Sequence, residues 1–115
     1  MDDEADARDF LRISLSGEGF EVIEAASGIE ALLLMTKRRP DLAIIDVMMA
    51  GMTGLELCDE LRGRLDTRDI PIILYSAYEM KKHSNAGLYD HAFVKPVDLE
   101  ELLGAIGRLL PSPRT

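Results

Sequence analysis

Apolar and polar positions alternate between two rhythms along this chain, and two short unbroken apolar runs are the most informative. Leu42-Ala43-Ile44-Ile45 has no polar break and stops at Asp46. Pro71-Ile72-Ile73-Leu74-Tyr75 does the same and stops at Ser76-Ala77. Runs this short without alternation predict strands buried on both faces, as in a parallel sheet. Phe20 to Ala25 partly alternates and predicts a further strand. Ala92-Phe93-Val94 predicts a short one ending at Lys95-Pro96.

The segments between them carry helical spacing. Ala7, Phe10, Leu11 and Leu15 share one side of a helix over 6–16, bracketed by Gly17 and Gly19. Ser27-Gly28 opens a second helix with Ile29, Leu32, Leu33 and Thr36 on one side; Lys37-Arg38-Arg39 suit its C-terminal dipole, and Pro40 stops it. Gly54 starts a third, with Leu57, Cys58, Leu61 and Leu65 on a stripe. Asp66 to Asp69 form a polar loop. Tyr78 to about Ala86 is a weakly patterned helix. Asp98-Leu99-Glu100-Glu101 has the form of a capping box before a helix carrying Leu99, Leu102, Leu103, Ile106, Leu109 and Leu110. Helices alternating with buried strands predict an α/β fold, a doubly wound parallel sheet with right-handed crossovers.

Composition narrows the function classes. The 115 residues suit one domain, expected over 1–110 with a short tail at 111–115. Hydrophobic residues at 47% can build a core, and 13 Lys and Arg against 21 Asp and Glu give a net charge of -8. That acidity argues against direct nucleic-acid binding, which needs cations over phosphates. Cys58 is alone, so no intramolecular disulfide is expected. No apolar run approaches the roughly 18 residues of a membrane span. The acidic start Met1-Asp2-Asp3-Glu4 is not a secretory signal. A cytoplasmic location is the expectation. His83 and His91 lack partners at metal-ligand spacing and are read as surface residues.

If the strands are parallel neighbours, Asp46, Ser76 and Lys95 end on one crevice, where ligands of open α/β sheets bind. Asp2 and Asp3 are candidates for the same rim. Carboxylates with one hydroxyl and one ammonium form a phosphoryl-transfer set. Asp46 can be the nucleophile that becomes an aspartyl phosphate. A hard divalent cation such as Mg²⁺ relieves the repulsion between clustered carboxylates. Lys95 and the Ser76 hydroxyl suit phosphoryl oxygens.

The ordered set Asp2-Asp3, Asp46 within Ile-Ile-Asp-Val-Met-Met, Gly54 eight residues on, Ser76-Ala77 and Lys95-Pro96 resembles the receiver domain of bacterial two-component response regulators. The resemblance covers nearly the whole chain. It implies a flavodoxin-like sheet of order 2-1-3-4-5. It also implies phosphoryl transfer to Asp46 from a sensor histidine kinase or phosphotransfer protein, with Mg²⁺ held by Asp2 or Asp3, Asp46 and the Met48 backbone carbonyl. It further implies a cis Lys95-Pro96 bond, a Ser76-linked two-state switch, self-phosphorylation and self-dephosphorylation rather than turnover, a downstream protein partner, and a homodimer as one assembly.

Three departures from that pattern stand out. The family's first, central strand precedes its acidic pair, and only Met1 stands there. That strand is therefore expected to be missing or truncated, leaving a gap in the sheet or a closed-up order. A piece of about four or five apolar side chains at about 1.5–3 kcal/mol each is then unaccounted for, through an upstream start, a partner chain or a rearranged sheet. Ala50 replaces a usual proline. Ala92 stands at the family's switch aromatic, with Phe93 and Tyr89 nearby. Two other functions compete: a degenerate receiver that binds partners without phosphorylation, and an aspartyl-nucleophile phosphohydrolase. The latter usually has an acid-base carboxylate two residues past the nucleophile, where this chain has Met48.

Overall fold

The computed structural model describes residues 1–2, 4–47, 51–76 and 88–110. The two unbroken apolar runs form strands: β1 is Ala43–Asp46 and β2 is Ile72–Ser76, with every β2 residue buried. β3 is His91–Val94. All pairing is parallel, in the order β1-β2-β3. Asp46 lies opposite Tyr75, and Ser76 opposite Val94.

Parallel neighbours need crossovers. The described helices are α1 (Ala5–Gly17), α2 (Gly28–Lys37), α3 (Gly54–Arg62) and α4 (Leu99–Leu109). Alternate strand residues face opposite ways, so the sheet has two cores. Ile45, Ile72 and Leu74 pack with Ala31 of α2 and Leu57 and Leu61 of α3. Ile73 packs with Leu15 of α1 and with Leu102 and Ile106 of α4, joined by Ile44 and Phe93. This is the doubly wound layout that the alternation of elements predicts. Tyr89 packs against the first core beside Ala92, whereas Phe93 turns to the second and meets the His91 ring at 4.5 Å.

The helix ends show where short-range chemistry sets boundaries. Ser27 Oγ accepts from the Glu30 N–H at 3.1 Å. A reciprocal capping box forms at Thr53 and Glu56, ahead of Gly54 and the first turn of α3. The box expected at Asp98 is instead a single bond, Asp98 Oδ1 accepting from the Glu100 N–H at 2.9 Å. Gly19 takes a positive φ of 92° just past α1, a turn that a side chain would disfavour. The Lys95-Pro96 peptide is cis, as the resemblance implies. The helix expected near 78–86 and the tail at 111–115 lie outside the described residues. No described helix is long and apolar enough to cross a membrane.

Met1 and Asp2 cover one end of the outer edge of β1. Met1 donates from its amino nitrogen to the Ile44 carbonyl at 2.5 Å and accepts from the Asp46 N–H at 2.9 Å. Asp2 donates to the Ala25 carbonyl at 3.3 Å. These two residues therefore lie like the last links of a strand, between β1 and the segment 20–25. The strand expected at Phe20–Ala25 does not join the sheet: Met1 and Asp2 hold its end one strand-width from β1. A groove lies between this segment and the outer edge of β1. Its cavity of about 280 Å³ is lined by Leu11, Leu15, Phe20, Val22, Leu42 and Ile44, among others.

Candidate functional site

Burial and register bring the acidic and basic groups together. β1 is apolar until Asp46, so the strand must run through the core and deliver that carboxylate at its C-terminal end, only 2% exposed. Asp2 is fixed from several sides and is fully buried. Its Oδ1 accepts from the Glu4 N–H at 3.0 Å, which turns the chain into α1. Its carbonyl accepts from Arg8 at 2.8 Å.

Lys95 follows β3 directly. Its backbone N–H donates to the Ser76 carbonyl at 2.7 Å, which locks the ends of β2 and β3 together. From there Nζ reaches Asp46 Oδ2 at 3.3 Å and Asp2 Oδ2 at 3.4 Å. One ammonium thus bridges two buried carboxylates. The Lys95 side chain keeps 26% of its surface exposed, so the cluster opens to solvent through this residue.

Ser76 occupies the last position of β2 and is 3% exposed. By strand alternation its side chain projects to the face opposite Tyr75. Asp3 and Met48, two of the expected metal ligands, lie outside the described residues. Among the described residues no three His, Cys, Asp or Glu side chains form a metal-binding group.

The charges respond to one another. Burial raises the Asp46 carboxyl above the usual range, Asp2 adds to that by like-charge repulsion, and Lys95 opposes both. Burial also pushes Asp2 upward. The Glu4 N–H, the Tyr75 hydroxyl and Lys95 outweigh it, and Asp2 lies below the usual range. Burial lowers Lys95, but Asp46 and then Asp2 raise it further, so it stays a cation. The site keeps a carboxylate that desolvation and Asp2 disfavour. A further positive charge between Asp46 and Asp2 would relieve that. Both ligands are hard oxygens, so the residues present fit a cation such as Mg²⁺.

Away from this cluster, Cys58 is fully buried and its thiol is pushed up to about 12 by burial, which makes it an inert core residue.

Tyr75 is the site residue that the sequence pattern did not single out. It reads as the end of a buried strand, yet its hydroxyl donates to Asp2 Oδ2 at 2.7 Å. Its ring lies under Lys95, with Nζ 4.7 Å from the centroid. The available signal was a tyrosine, with a polar tip that needs a partner when buried, one residue before the strand-end Ser76.

Comparison with known proteins places the chain in a family. The response regulator receiver domain family matches residues 1–107. The response regulator MprA of Mycobacterium leprae is 42% identical over 113 residues, covering 96% of this chain and 49% of that protein. MprA of Mycobacterium tuberculosis is likewise 42% identical, with 48% of its length covered. The chain therefore spans about half the length of these relatives. Among solved structures, the chemotaxis protein CheY4 of Vibrio cholerae superposes with a TM-score of 0.87 at 32% identity, covering 95% of this chain and 93% of that one. The response regulator TrrA of Thermotoga maritima, solved in complex with Mg²⁺-BeF, gives a TM-score of 0.86 at 34% identity, covering 95% and 94%. This chain belongs to the response regulator receiver domain family.

Proposed function

We propose that residues 1–110 accept a phosphoryl group on Asp46 from the phosphohistidine of a sensor histidine kinase or phosphotransfer protein, and signal the change to a downstream protein partner in the cytoplasm. The observation that carries this reading is the Lys95 ammonium held between the Asp46 and Asp2 carboxylates, at 3.3 and 3.4 Å. A structural ion pair needs one carboxylate. A second buried carboxylate raises the energy of the first and is explained by chemistry that brings in positive charge and then a phosphoryl group.

In the proposed step an Asp46 carboxylate oxygen attacks phosphorus. The bond from phosphorus to the imidazole nitrogen breaks, and the imidazole leaves with the electron pair. An acyl phosphate forms on Asp46. Lys95 moves its ammonium from Oδ2 of Asp46 toward the incoming oxygens, where charge accumulates. Ser76, at the adjoining strand end, is assigned to a phosphoryl oxygen and to the switch. Asp2, Asp3, Asp46 and the Met48 carbonyl are assigned to Mg²⁺, which when bound supplies positive charge that screens the carboxylates from the donor. TrrA, a relative of the same fold, is solved in complex with Mg²⁺-BeF, which supports Mg²⁺ as the cation.

Acetyl phosphate tests the chemistry without a kinase. With Mg²⁺, the intact mass is expected to gain one phosphoryl group. With EDTA in place of Mg²⁺ the gain should fall at least tenfold, because an anionic donor then meets an acidic cluster unscreened. A chain that gains no phosphoryl group with Mg²⁺, or gains it equally with EDTA, contradicts the reading. The first of these outcomes would favour a receiver that binds its partner unphosphorylated.

A further inference from the structure

Tyr75 touches both charged partners of Asp46. It is 4% exposed and sits opposite Asp46 in the sheet register. Its hydroxyl is 2.7 Å from Asp2 Oδ2, the oxygen that Lys95 also reaches at 3.4 Å. Its ring meets the same Lys95 ammonium at 4.7 Å. Asp2 Oδ1 is taken by the Glu4 N–H at 3.0 Å. Both oxygens of Asp2 are thus oriented by protein donors, and those on Oδ2 differ in kind. Lys95 is partly exposed and long enough to swing; Tyr75 is buried on a central strand and cannot.

We propose that Tyr75 is a positioning residue of the acidic site: its hydroxyl holds the Asp2 carboxylate in place, and its ring seats the Lys95 ammonium between the two carboxylates. This assignment rests on the reading of Asp46 as phosphoacceptor. When Lys95 turns toward a phosphoryl oxygen, the Tyr75 hydroxyl is the donor left on Asp2 Oδ2. Without it, that carboxylate would lose its direction when it is most needed. A phenol keeps its proton at neutral pH and so serves as a donor to a carboxylate. Partners that orient a ligating carboxylate commonly change metal affinity by about 10–100-fold when removed.

Two substitutions separate the roles. Tyr75→Phe keeps the ring and removes the hydroxyl; Tyr75→Leu removes both. Calorimetric titration with Mg²⁺ is expected to give a dissociation constant raised about tenfold in each variant. At saturating Mg²⁺, acetyl phosphate should label Tyr75→Phe at least twofold more slowly than the wild type, because Asp2 then lacks its fixed donor during transfer. Tyr75→Leu should fall at least threefold further, because Lys95 has lost its seat.

A metal-free readout accompanies these. The Lys95 side-chain protons next to Nζ should show an upfield ring-current shift in the wild type and Tyr75→Phe, and lose it in Tyr75→Leu. Equal Mg²⁺ affinity in Tyr75→Phe and the wild type overturns the hydroxyl's role. An unshifted Lys95 signal in the wild type overturns the ring's role. Failure of wild-type labelling alone defeats the phosphoacceptor reading, while the ring-current shift and the Mg²⁺ titration still judge Tyr75. Thermal melts of both variants confirm that the folded state is being compared.

Discussion

Adding a single methyl group at residue 54 is expected to destabilise the domain by about 3 kcal/mol and to cut phosphoryl labelling of Asp46 at least tenfold. A β-carbon at Gly54 would lie 2.3 Å from the Asp46 carbonyl oxygen, 2.8 Å from the Val47 α-carbon and 2.9 Å from the Asp46 carbonyl carbon. All three are backbone atoms, so no side chain can rotate away. The first turn of α3 packs directly on the end of β1, and the Gly54 N–H donates to the Val47 carbonyl at 2.9 Å. Gly54→Ala must push the helix and strand apart, weaken that bond and shift Asp46 from Lys95. Overpacking alone costs about 1–3 kcal/mol, and a strained hydrogen bond adds about 1. Gly107→Ala is the control: a β-carbon there meets nothing within 4 Å, and alanine favours the α4 helix. Urea melts check both. A lowered midpoint at unchanged slope is expected for Gly54→Ala, and an equal or raised midpoint for Gly107→Ala. An unshifted Gly54→Ala midpoint would show that the close approach is not there.

The second large effect concerns the groove beside β1. Its walls are the segment 20–25 and the outer edge of β1, and Met1 already pairs with that edge as a strand would. The Ile44 N–H points the same way as the Asp46 N–H, because alternate residues of a strand share a direction. A five-residue extension of alternating valine and isoleucine, joined ahead of Met1, should therefore continue the line as a parallel strand. Each buried side chain contributes about 1.5–3 kcal/mol, and the newly covered lining adds to this. Ordering the extension opposes it by about 1–2 kcal/mol per residue for the backbone, with a further side-chain part. The expected net gain is about 4 kcal/mol, read as a raised urea midpoint with a steeper slope from the extra buried surface. An extension of alternating lysine and glutamate should give no gain. Equal midpoints for the two extensions would mean that the groove does not accept a strand.

Much of this arrangement is legible in the chain itself. The unbroken runs ending at Asp46 and Ser76 have the length and composition of buried strands, and their parallel pairing decides which ends share a crevice. The Lys95 contact with Asp46 follows from the same logic. The segment 20–25 reads as a strand because its positions alternate, but alternation reports burial on one side and says nothing about a pairing partner; its neighbour is a groove with Met1 and Asp2 at one end. Gly54 opens α3 as the sequence predicts, and it also lies against Asp46; the Thr53–Glu56 box that caps the same helix is a local signal beside it. Tyr75 was hidden because an aromatic in a buried run looks like core. Its hydroxyl acquires meaning only when Asp2, 73 positions away in sequence, arrives beside it.

The direct test of the central claim is to locate the phosphoryl group. The chain treated with acetyl phosphate and Mg²⁺ is reduced with borohydride, which converts an aspartyl phosphate to homoserine, and the position is read by tandem mass spectrometry. Homoserine at position 46, absent from Asp46→Asn, is the predicted result. Homoserine at position 2 or 3 instead, or a label that survives in Asp46→Asn, would contradict the account.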